Sequence, residues 1–251
     1  MSITPHPIDL SACLHLTASK SRRKKGTNNM SNQLILESGK YYHIYNRGIN
    51  GENLFRKEKD YERFLHLYSK FIEPVAETYS WVLMPNHFHL LVRIKEDIAY
   101  KYSRPDFPND EDFDAVKWET EPGIKRTTIP EGRTPVAYRH FSHLFNAYAK
   151  NHNIVSERHG NLFERPFKRK EIDNEVYLKN VVLYIHHNPV HHGFCEHPLE
   201  YPWSSYLSCI SVKPTKLYRK SVIGWFDDDA NFKYMHNGKL EIEAIEQWLE
   251  M

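Results

Sequence analysis

Residues 78–94 read TYSWVLMPNHFHLLVRI, two apolar and aromatic runs that are separated by Pro85 and Asn86. Short runs of this composition are typical of β-strands, and both proline and asparagine favour turns. The stretch therefore predicts two adjacent strands, residues 78–84 and 88–94, that are joined by a tight turn.

The sequence on the amino-terminal side adds a strand and a helix to this pair. Residues 41–46 are aromatic and β-branched and end at Arg47-Gly48, which predicts a strand followed by a turn. From Asp60 to Phe71 the apolar side chains recur at helical spacing, and Asp60 is available as the N-cap. The order to this point is β-α-β-β.

The sequence on the carboxyl side completes the fold. We predict a helix over residues 138–152, a strand over 167–172, and a helix from about residue 174 to 187 that meets Pro189. The order β-α-β-β-α-β with one additional helix predicts an α+β protein. Its expected architecture is a ferredoxin-like antiparallel sheet with helices on one face.

Composition excludes several classes of protein. The chain has 251 residues, of which 40% are hydrophobic and 14% aromatic, which fits a packed core and argues against a disordered protein. No apolar run approaches the roughly 18 residues of a membrane helix, so we expect no membrane partner. Three scattered cysteines exclude a disulfide framework and a CxxC zinc site, and a cytoplasmic location fits best.

The first 32 residues differ in composition from the rest. They contain one acid, Asp9, and a basic run at residues 22–25, with no helical or strand period. This pattern predicts a disordered basic tail, and a DNA-contacting arm is the alternative. Translation that starts at Met30 in place of Met1 would remove the tail altogether.

The expected catalytic domain, residues 33–225, contains one segment of different composition. Residues 96–132 hold ten acids, five bases and four prolines, which predicts a surface insertion. The insertion carries a charge of −5 in a chain of net charge +2, so the remainder is basic and favours a nucleic-acid partner. A C-terminal extension, 226–251, has an amphipathic helix at 240–249 that can dock on a partner or on the protein itself.

The first chemical feature is His87-Phe88-His89, at the start of a predicted strand. Residues i and i+2 of a strand point to the same face, so both imidazoles can meet one metal ion while Phe88 faces the core. Neutral imidazole suits Zn, Mn, Fe, Ni or Cu, and two protein ligands leave open positions for catalysis. The alternative is a pair of partly exposed histidines at a strand edge.

The second feature is the sequence YIHHNPVHHG at residues 184–193. Tyr184 and Asn188 share a face of the predicted helix, although the residue before a proline is biased out of the α region. An ordinary core tyrosine is the alternative for Tyr184. Because Pro189 interrupts the face that a helical zinc pair uses, most of the four histidines are expected to face solvent or DNA. These are His186, His187, His191 and His192.

A basic segment with interleaved aromatic residues covers 158–170. Its cations can neutralise phosphates, and the ring of Phe163 or Phe167 can stack on unpaired bases. Core packing is the alternative for the two rings, and a solvated surface is the alternative for the cations. The candidate DNA-binding cations are Arg158, Arg165, Lys168, Arg169 and Lys170.

Three motifs together resemble the REP-associated tyrosine transposases, which are single-tyrosine HUH transposases. The motifs are MPNHFH at residues 84–89, YIHHNPVHHG at 184–193 and YPWSSY at 201–206. The resemblance covers roughly residues 33–95 and 135–235, with the motifs in the family's order. The acidic insertion and the basic tail depart from the compact family pattern.

This resemblance implies an HUH nuclease fold that cuts and rejoins single-stranded DNA hairpins through a 5′-phosphotyrosine intermediate. It also implies a divalent metal, Mg or Mn, with His87, His89 and Asn188 as ligands and Tyr184 as nucleophile. Tyr148 is the rival nucleophile, because it too lies on a predicted helix and has a histidine, His152, one turn later.

Two other function classes and one question of assembly stay open at this point. The protein can be a catalytically silent binder of structured single-stranded DNA or RNA, or a metal-dependent phosphohydrolase that uses water. A homodimer in which the subunits exchange catalytic helices is compatible with the sequence.

Overall fold

The computed structural model describes residues 35–96, 136–238 and 242–249, which fold around a four-stranded antiparallel sheet. The strands are β1 (Tyr41–Arg47), β2 (Ala76–Met84), β3 (His87–Ile94) and β4 (Lys168–Ile172). The helices are α1 (Glu58–Phe71), α2 (Ala137–Val155), α3 (Glu175–His191), α4 (Tyr206–Ile210), α5 (Arg219–Trp225), α6 (Asp229–His236) and α7 (Ile242–Leu249).

The strand order β2-β3-β1-β4 is the order of a ferredoxin-like sheet, and the predicted α+β fold class is confirmed. Strand β3 lies at the centre and pairs with β2 on one side and β1 on the other. Tyr45 of β1 lies opposite His89 of β3, and Arg47 lies opposite His87. Strand β1 is therefore the direct neighbour of β3, the strand that carries the two histidines.

The side chains of β3 alternate between two apolar layers, as the pleat of a strand requires. Phe88, Leu90 and Val92 belong to the core that α1 and α2 cover, so both connecting helices lie on one face as predicted. Leu91 belongs to a second core, which the additional helix α3 covers together with α5 and α6. His87 and His89 share the side of the strand that faces α3.

Helix α3 is longer than the sequence predicts. Its N-cap is Asn174, whose side chain accepts a hydrogen bond from the Tyr177 N–H at 3.0 Å, as expected for a residue of this type. The predicted end at about His187 is wrong, because the helix continues through Pro189. A proline removes only one backbone donor, and the last turn is still closed by the His192 N–H, which donates to the Asn188 carbonyl at 3.1 Å.

Helix α1 also begins differently from the prediction. Lys57, not Asp60, occupies the N-cap position. Asp60 lies three residues inside the helix, and its carboxylate accepts hydrogen bonds from the backbone N–H groups of Arg56 and Lys57, at 2.8 and 2.9 Å. Its capping function is retained, but it is exerted from within the first turn.

The C-terminal segment packs against the body of the protein. The N–H of Leu83, on the outer edge of β2, donates to the Trp203 carbonyl at 2.9 Å. The Trp248 ring of α7 stacks on Tyr177 of α3 with ring centroids 3.9 Å apart, so this helix docks on its own chain. No helix among the described residues is long and apolar enough to cross a membrane. The predicted basic tail and residues 97–132 of the insertion lie outside the described ranges.

Candidate active site

Strand β3 carries two histidines on the same side, at its first and third residues. The rings of His87 and His89 lie on one side of the strand, with centroids 5.2 Å apart. The turn before them is fixed by backbone bonds, because the Leu54 N–H donates to the Pro85 carbonyl at 2.7 Å and the Gly48 N–H donates to the Asn86 carbonyl at 2.8 Å. The pair therefore starts from a rigid support.

Helix α3 brings Tyr184 and Asn188 to the same histidines. Asn188 Oδ1 lies 2.9 Å from His87 Nε2, and Asn188 Nδ2 lies 3.5 Å from His89 Nε2. The Tyr184 and His89 rings meet edge to face at a centroid distance of 5.3 Å. Because α3 continues through Pro189, Asn188 keeps its helical position one turn after Tyr184. The four residues singled out from the sequence thus lie in one place.

The hydrogen bonds of His87 suit a cation. Its Nδ1 lies 2.7 Å from Asn86 Oδ1 and its Nε2 lies 2.9 Å from Asn188 Oδ1, and both oxygens only accept hydrogen bonds. Burial, as the largest cause, lowers the pKa of His87 to about 4, so the ring is neutral at pH 7 and carries one N–H. One nitrogen–oxygen pair is therefore left without a proton, and a bound cation would satisfy both of its lone pairs.

The donor set at this point consists of two imidazole nitrogens and one amide oxygen. Burial also lowers the pKa of His89 well below its ordinary value, which keeps it neutral as a metal ligand must be. Within the ranges that the structure describes, no group of three His, Cys, Asp or Glu side chains could hold a metal ion. Any cation here would keep open coordination positions, as catalytic metal sites do.

The Tyr184 hydroxyl is covered by the C-terminal helix. It donates a hydrogen bond to Glu246 Oε1 of α7 at 3.4 Å, and its side chain is only 1% exposed. Burial and the nearby Glu246 charge raise the pKa of the phenol above its ordinary value, while a hydrogen bond to Asn188 acts in the opposite direction. Tyr184 is therefore protonated at neutral pH, with a carboxylate in place to accept the proton. No local pattern in the sequence marks Glu246, because only the fold brings it there.

The rival tyrosine lies elsewhere. Tyr148 is buried in the core under α1 and α2, and its hydroxyl donates to the Leu54 carbonyl at 2.6 Å. This core is on the opposite face of the sheet from the histidine pair. The structure therefore does not bring Tyr148 and His152 to His87 and His89.

The prediction that most of the histidines in 186–192 face solvent or DNA is wrong for two of them. His186 Nδ1 lies 2.9 Å from His236 Nε2, and its Nε2 lies 2.8 Å from Ser205 Oγ, all of them buried. His187 is also buried, because α3 extends into the layer between the sheet and α6. His191 and His192 are exposed, and the His192 ring lies 5.1 Å from that of His87.

The site opens into a cleft of about 680 Å³. Lys168 and Phe194 line it together with the histidine pair. Phe194 is 55% exposed, which is unusual for a phenylalanine and leaves its ring accessible from the cleft. Phe194 was not singled out from the sequence, because nothing local distinguishes it from a core residue.

The predicted DNA-binding cations differ in their surroundings. Lys168 is exposed at the cleft, and Arg165 is exposed and donates to Asn146 Oδ1 at 3.2 Å. Arg158 instead pairs with Glu52 at 2.7 Å, where only 18% of its side chain is exposed. Arg169 lies over the Tyr138 ring at 5.5 Å, and Lys170 lies over the Trp248 ring at the same distance.

The two phenylalanines that were candidates for stacking on bases are core residues, which is the alternative that the sequence left open. Phe163 is 5% exposed and packs against Phe88, Phe145 and Tyr148. Phe167 is equally buried, and its ring stacks on Tyr138 with centroids 4.7 Å apart. Because each residue is only 5% exposed, we assign neither of them a stacking role.

Comparison with known proteins finds similarity among solved structures. No protein-family model matches the sequence, and no curated protein matches it. A structure of a REP-associated tyrosine transposase bound to a REP hairpin is similar over 71% of this chain and 84% of that chain, with 16% sequence identity and a TM-score of 0.47. The function of this chain is therefore inferred from the side chains of its cleft.

Proposed function

We propose that this protein is a single-stranded DNA transposase and endonuclease. It cuts and rejoins hairpin-containing strands through a 5′-phosphotyrosine intermediate, with a divalent cation, Mg or Mn. One observation carries the proposal: Tyr184 and Asn188, one turn apart on α3, lie against His87 and His89 of β3 in a single cleft.

The metal-binding part of the site consists of His87 Nε2, His89 Nε2 and Asn188 Oδ1. A divalent cation held by these atoms would supply Lewis-acid stabilisation of the negative charge that develops on a non-bridging phosphate oxygen. The same residues would fix the scissile phosphate beside Tyr184. Positioning of this kind lowers the barrier because the nucleophile and the phosphorus meet in one orientation.

The reacting group is the Tyr184 hydroxyl. Its oxygen attacks phosphorus, a bond from Oη to phosphorus forms, and the bond from phosphorus to the 3′ oxygen breaks. Glu246 takes the phenolic proton, and the departing 3′ oxygen takes a proton from water to become a hydroxyl. Because the number of phosphoester bonds does not change, another 3′-hydroxyl can reverse the step without ATP, which permits strand transfer as well as cutting.

DNA would lie along the cleft and the adjacent edge of β4. Lys168 and Arg165 are among the exposed cations there, and both can neutralise backbone phosphates. Phe194 offers an accessible ring face on which an unpaired base can stack. The preference for hairpins is inferred from the motif resemblance.

A second candidate, a binding protein without chemistry, is favoured by one observation. The Tyr184 hydroxyl is buried beneath α7 and hydrogen-bonded to Glu246. If that cover is permanent, the cleft can hold a strand without reacting with it.

Detection of a covalent adduct distinguishes the candidates. A panel of 3′-labelled hairpin oligonucleotides is incubated with the protein and Mn²⁺ and then run on a denaturing protein gel. We expect a labelled protein band that chelator prevents and that Tyr184→Phe abolishes. The matched variant Tyr148→Phe should still form it. Tight binding without any adduct supports the binding protein, and cleavage without an adduct supports the phosphohydrolase.

A further inference from the structure

A third histidine lies directly behind the pair. His43 of β1 is fully buried, and its Nε2 lies 3.0 Å from His89 Nδ1. The two rings are nearly parallel, with centroids 5.1 Å apart and an interplanar angle of 14°. His43 does not line the cleft, and its ring also contacts those of Tyr45 and Tyr184, with centroids 5.0 and 6.0 Å away, but its hydrogen bond to the site is made to His89.

The other ring nitrogen of His43, Nδ1, contributes no hydrogen bond to the described part of the structure. His43 Nδ1 is buried and has no hydrogen-bond partner in the described part of the chain. Buried polar atoms are normally paired, and an unpaired one destabilises the folded state. An apolar side chain would fill this position without that cost. The imidazole is therefore best explained by the bond that its Nε2 makes.

That bond determines which nitrogen of His89 carries the proton. If His89 Nδ1–H donates to His43 Nε2, the lone pair of His89 Nε2 is free and faces Asn188. If instead His43 Nε2–H donates to His89 Nδ1, the proton of His89 lies on Nε2 and closes that nitrogen to a cation. The first arrangement agrees with the Asn188 amide, whose Nδ2 faces His89 Nε2 at 3.5 Å.

We propose that His43 is a positioning residue for the metal ligand His89. It accepts the hydrogen bond from His89 Nδ1, and so it holds both the tautomer and the ring orientation that direct His89 Nε2 at Asn188 and His87. The metal-ligand part of this inference rests on the proposed function, whereas the tautomer part does not. Partners of this kind are a general feature of metal-bound histidines.

Two variants separate the hydrogen bond from packing. In His43→Gln the amide oxygen can take the place of Nε2 as acceptor, whereas His43→Leu fills a similar volume with no acceptor. His140→Leu is the control, because His140 is another buried histidine, bonded to the Phe71 carbonyl at 2.8 Å and remote from the cleft. Circular dichroism of each variant checks that it is folded at the temperature of the measurements.

The first measurement is Mn²⁺ binding to the full chain without DNA. Binding is monitored through the electron paramagnetic resonance signal of the free ion. We expect His43→Leu to weaken binding about 10- to 100-fold, and His43→Gln and His140→Leu to stay within about threefold of the unaltered protein. Equal losses of Mn²⁺ affinity in the Leu and Gln variants would mean that His43 acts through packing and not through its hydrogen bond. Unaltered binding in His43→Leu would overturn the proposal.

The second measurement needs no metal. Nitrogen-15 NMR of the histidine rings reports which nitrogen of His89 is protonated, and we expect Nδ1 in the unaltered protein and Nε2 in His43→Leu. A proton on Nε2 in the unaltered protein overturns the proposal whatever the metal does. If the Nδ1–H tautomer is present but no Mn²⁺ binds, the proposed metal site fails while the hydrogen bond from His89 to His43 stands.

Discussion

Asn188 Oδ1 lies 2.9 Å from His87 Nε2, although 101 residues separate them in the sequence. This contact connects β3 to the last two turns of α3. It exists only because α3 remains helical through Pro189. Local sequence rules disfavour a helix at the residue before a proline, so of the four site residues Asn188 is the one whose position they predict least well.

Removal of this amide should weaken cation binding. We expect Asn188→Ala to bind Mn²⁺ at least about tenfold more weakly than the unaltered protein, because an oxygen donor is lost from a set of three. Isothermal titration calorimetry measures the change. Asn180→Ala is the matched control, since Asn180 is a buried asparagine on the same helix and lies outside the cleft. Equal affinities for both variants would exclude Asn188 as a ligand.

Removal of the Glu246 carboxylate should slow the attack of Tyr184. The proton of the phenol then has no carboxylate acceptor, so we expect Glu246→Gln to form the DNA adduct about 100-fold more slowly at neutral pH and to recover as pH rises. Rapid-quench kinetics give the rate. Glu175→Gln, at the exposed start of α3, is the control. A rate equal to or above that of the unaltered protein would show that Glu246 covers the hydroxyl without assisting it.

Truncation of two phenylalanines should have different effects, one on stability and the other on DNA binding. Phe163→Ala empties part of the core, and we expect a loss of about 3–5 kcal/mol in the free energy of unfolding, measured with urea. Phe194→Ala should change stability by less than about 0.5 kcal/mol, because the ring is 55% exposed. The same variant should weaken binding of single-stranded DNA by about 1–3 kcal/mol in fluorescence anisotropy. Undiminished DNA binding by Phe194→Ala would end its assignment as a stacking residue.

The buried histidines predict that stability falls in mild acid. His236 Nδ1–H donates to the Phe232 carbonyl at 2.7 Å, so the Nε2 of a neutral His236 ring is an acceptor for His186 Nδ1–H, which lies 2.9 Å away. Burial lowers the pKa of His236 to about 3 and that of His186 well below its ordinary 6.5. The unfolded chain therefore binds these protons first. The stabilisation is complete above about pH 6.5 and is lost as pH falls toward the folded-state pKa.

The slope of this dependence can be measured. Each such histidine contributes about 1.4 kcal/mol per pH unit below pH 6.5 to the free energy of unfolding, obtained from urea titrations. His236→Phe removes one titrating group, so its slope should be shallower by about that amount, whatever the variant does to absolute stability. Identical slopes would mean that His236 is already protonated in the folded protein.

Local patterns predicted the fold, and they also predicted which residues approach each other along one element. Alternation in β3 placed His87 and His89 on one side, and the i, i+4 spacing placed Tyr184 and Asn188 on one face of α3. Both depend only on the geometry of a single strand or helix. The roles of these residues as ligands and nucleophile stay predictions.

Apart from the ends of α1 and α3, the failures involve contacts between distant parts of the chain. His186 is buried because His236, 50 residues later, covers it. Glu246 reaches Tyr184 across 62 residues, and His43 reaches His89 across 46. Phe163 has the aromatic, basic neighbourhood of a DNA-binding residue, and only the packing of α2 shows that its ring is in the core. No periodicity within one element contains this information.

Identification of the tyrosine that becomes attached to DNA is the most direct test of the central claim. The adduct is digested with nuclease and trypsin, and mass spectrometry locates the nucleotide remnant. Tyr184 lies in the peptide 180–216, whereas Tyr148 lies in the peptide 140–150. We predict a phosphate-linked remnant on Tyr184, confirmed by fragmentation that excludes Tyr201 and Tyr206. A remnant on Tyr148, or on any residue other than Tyr184, would contradict the account.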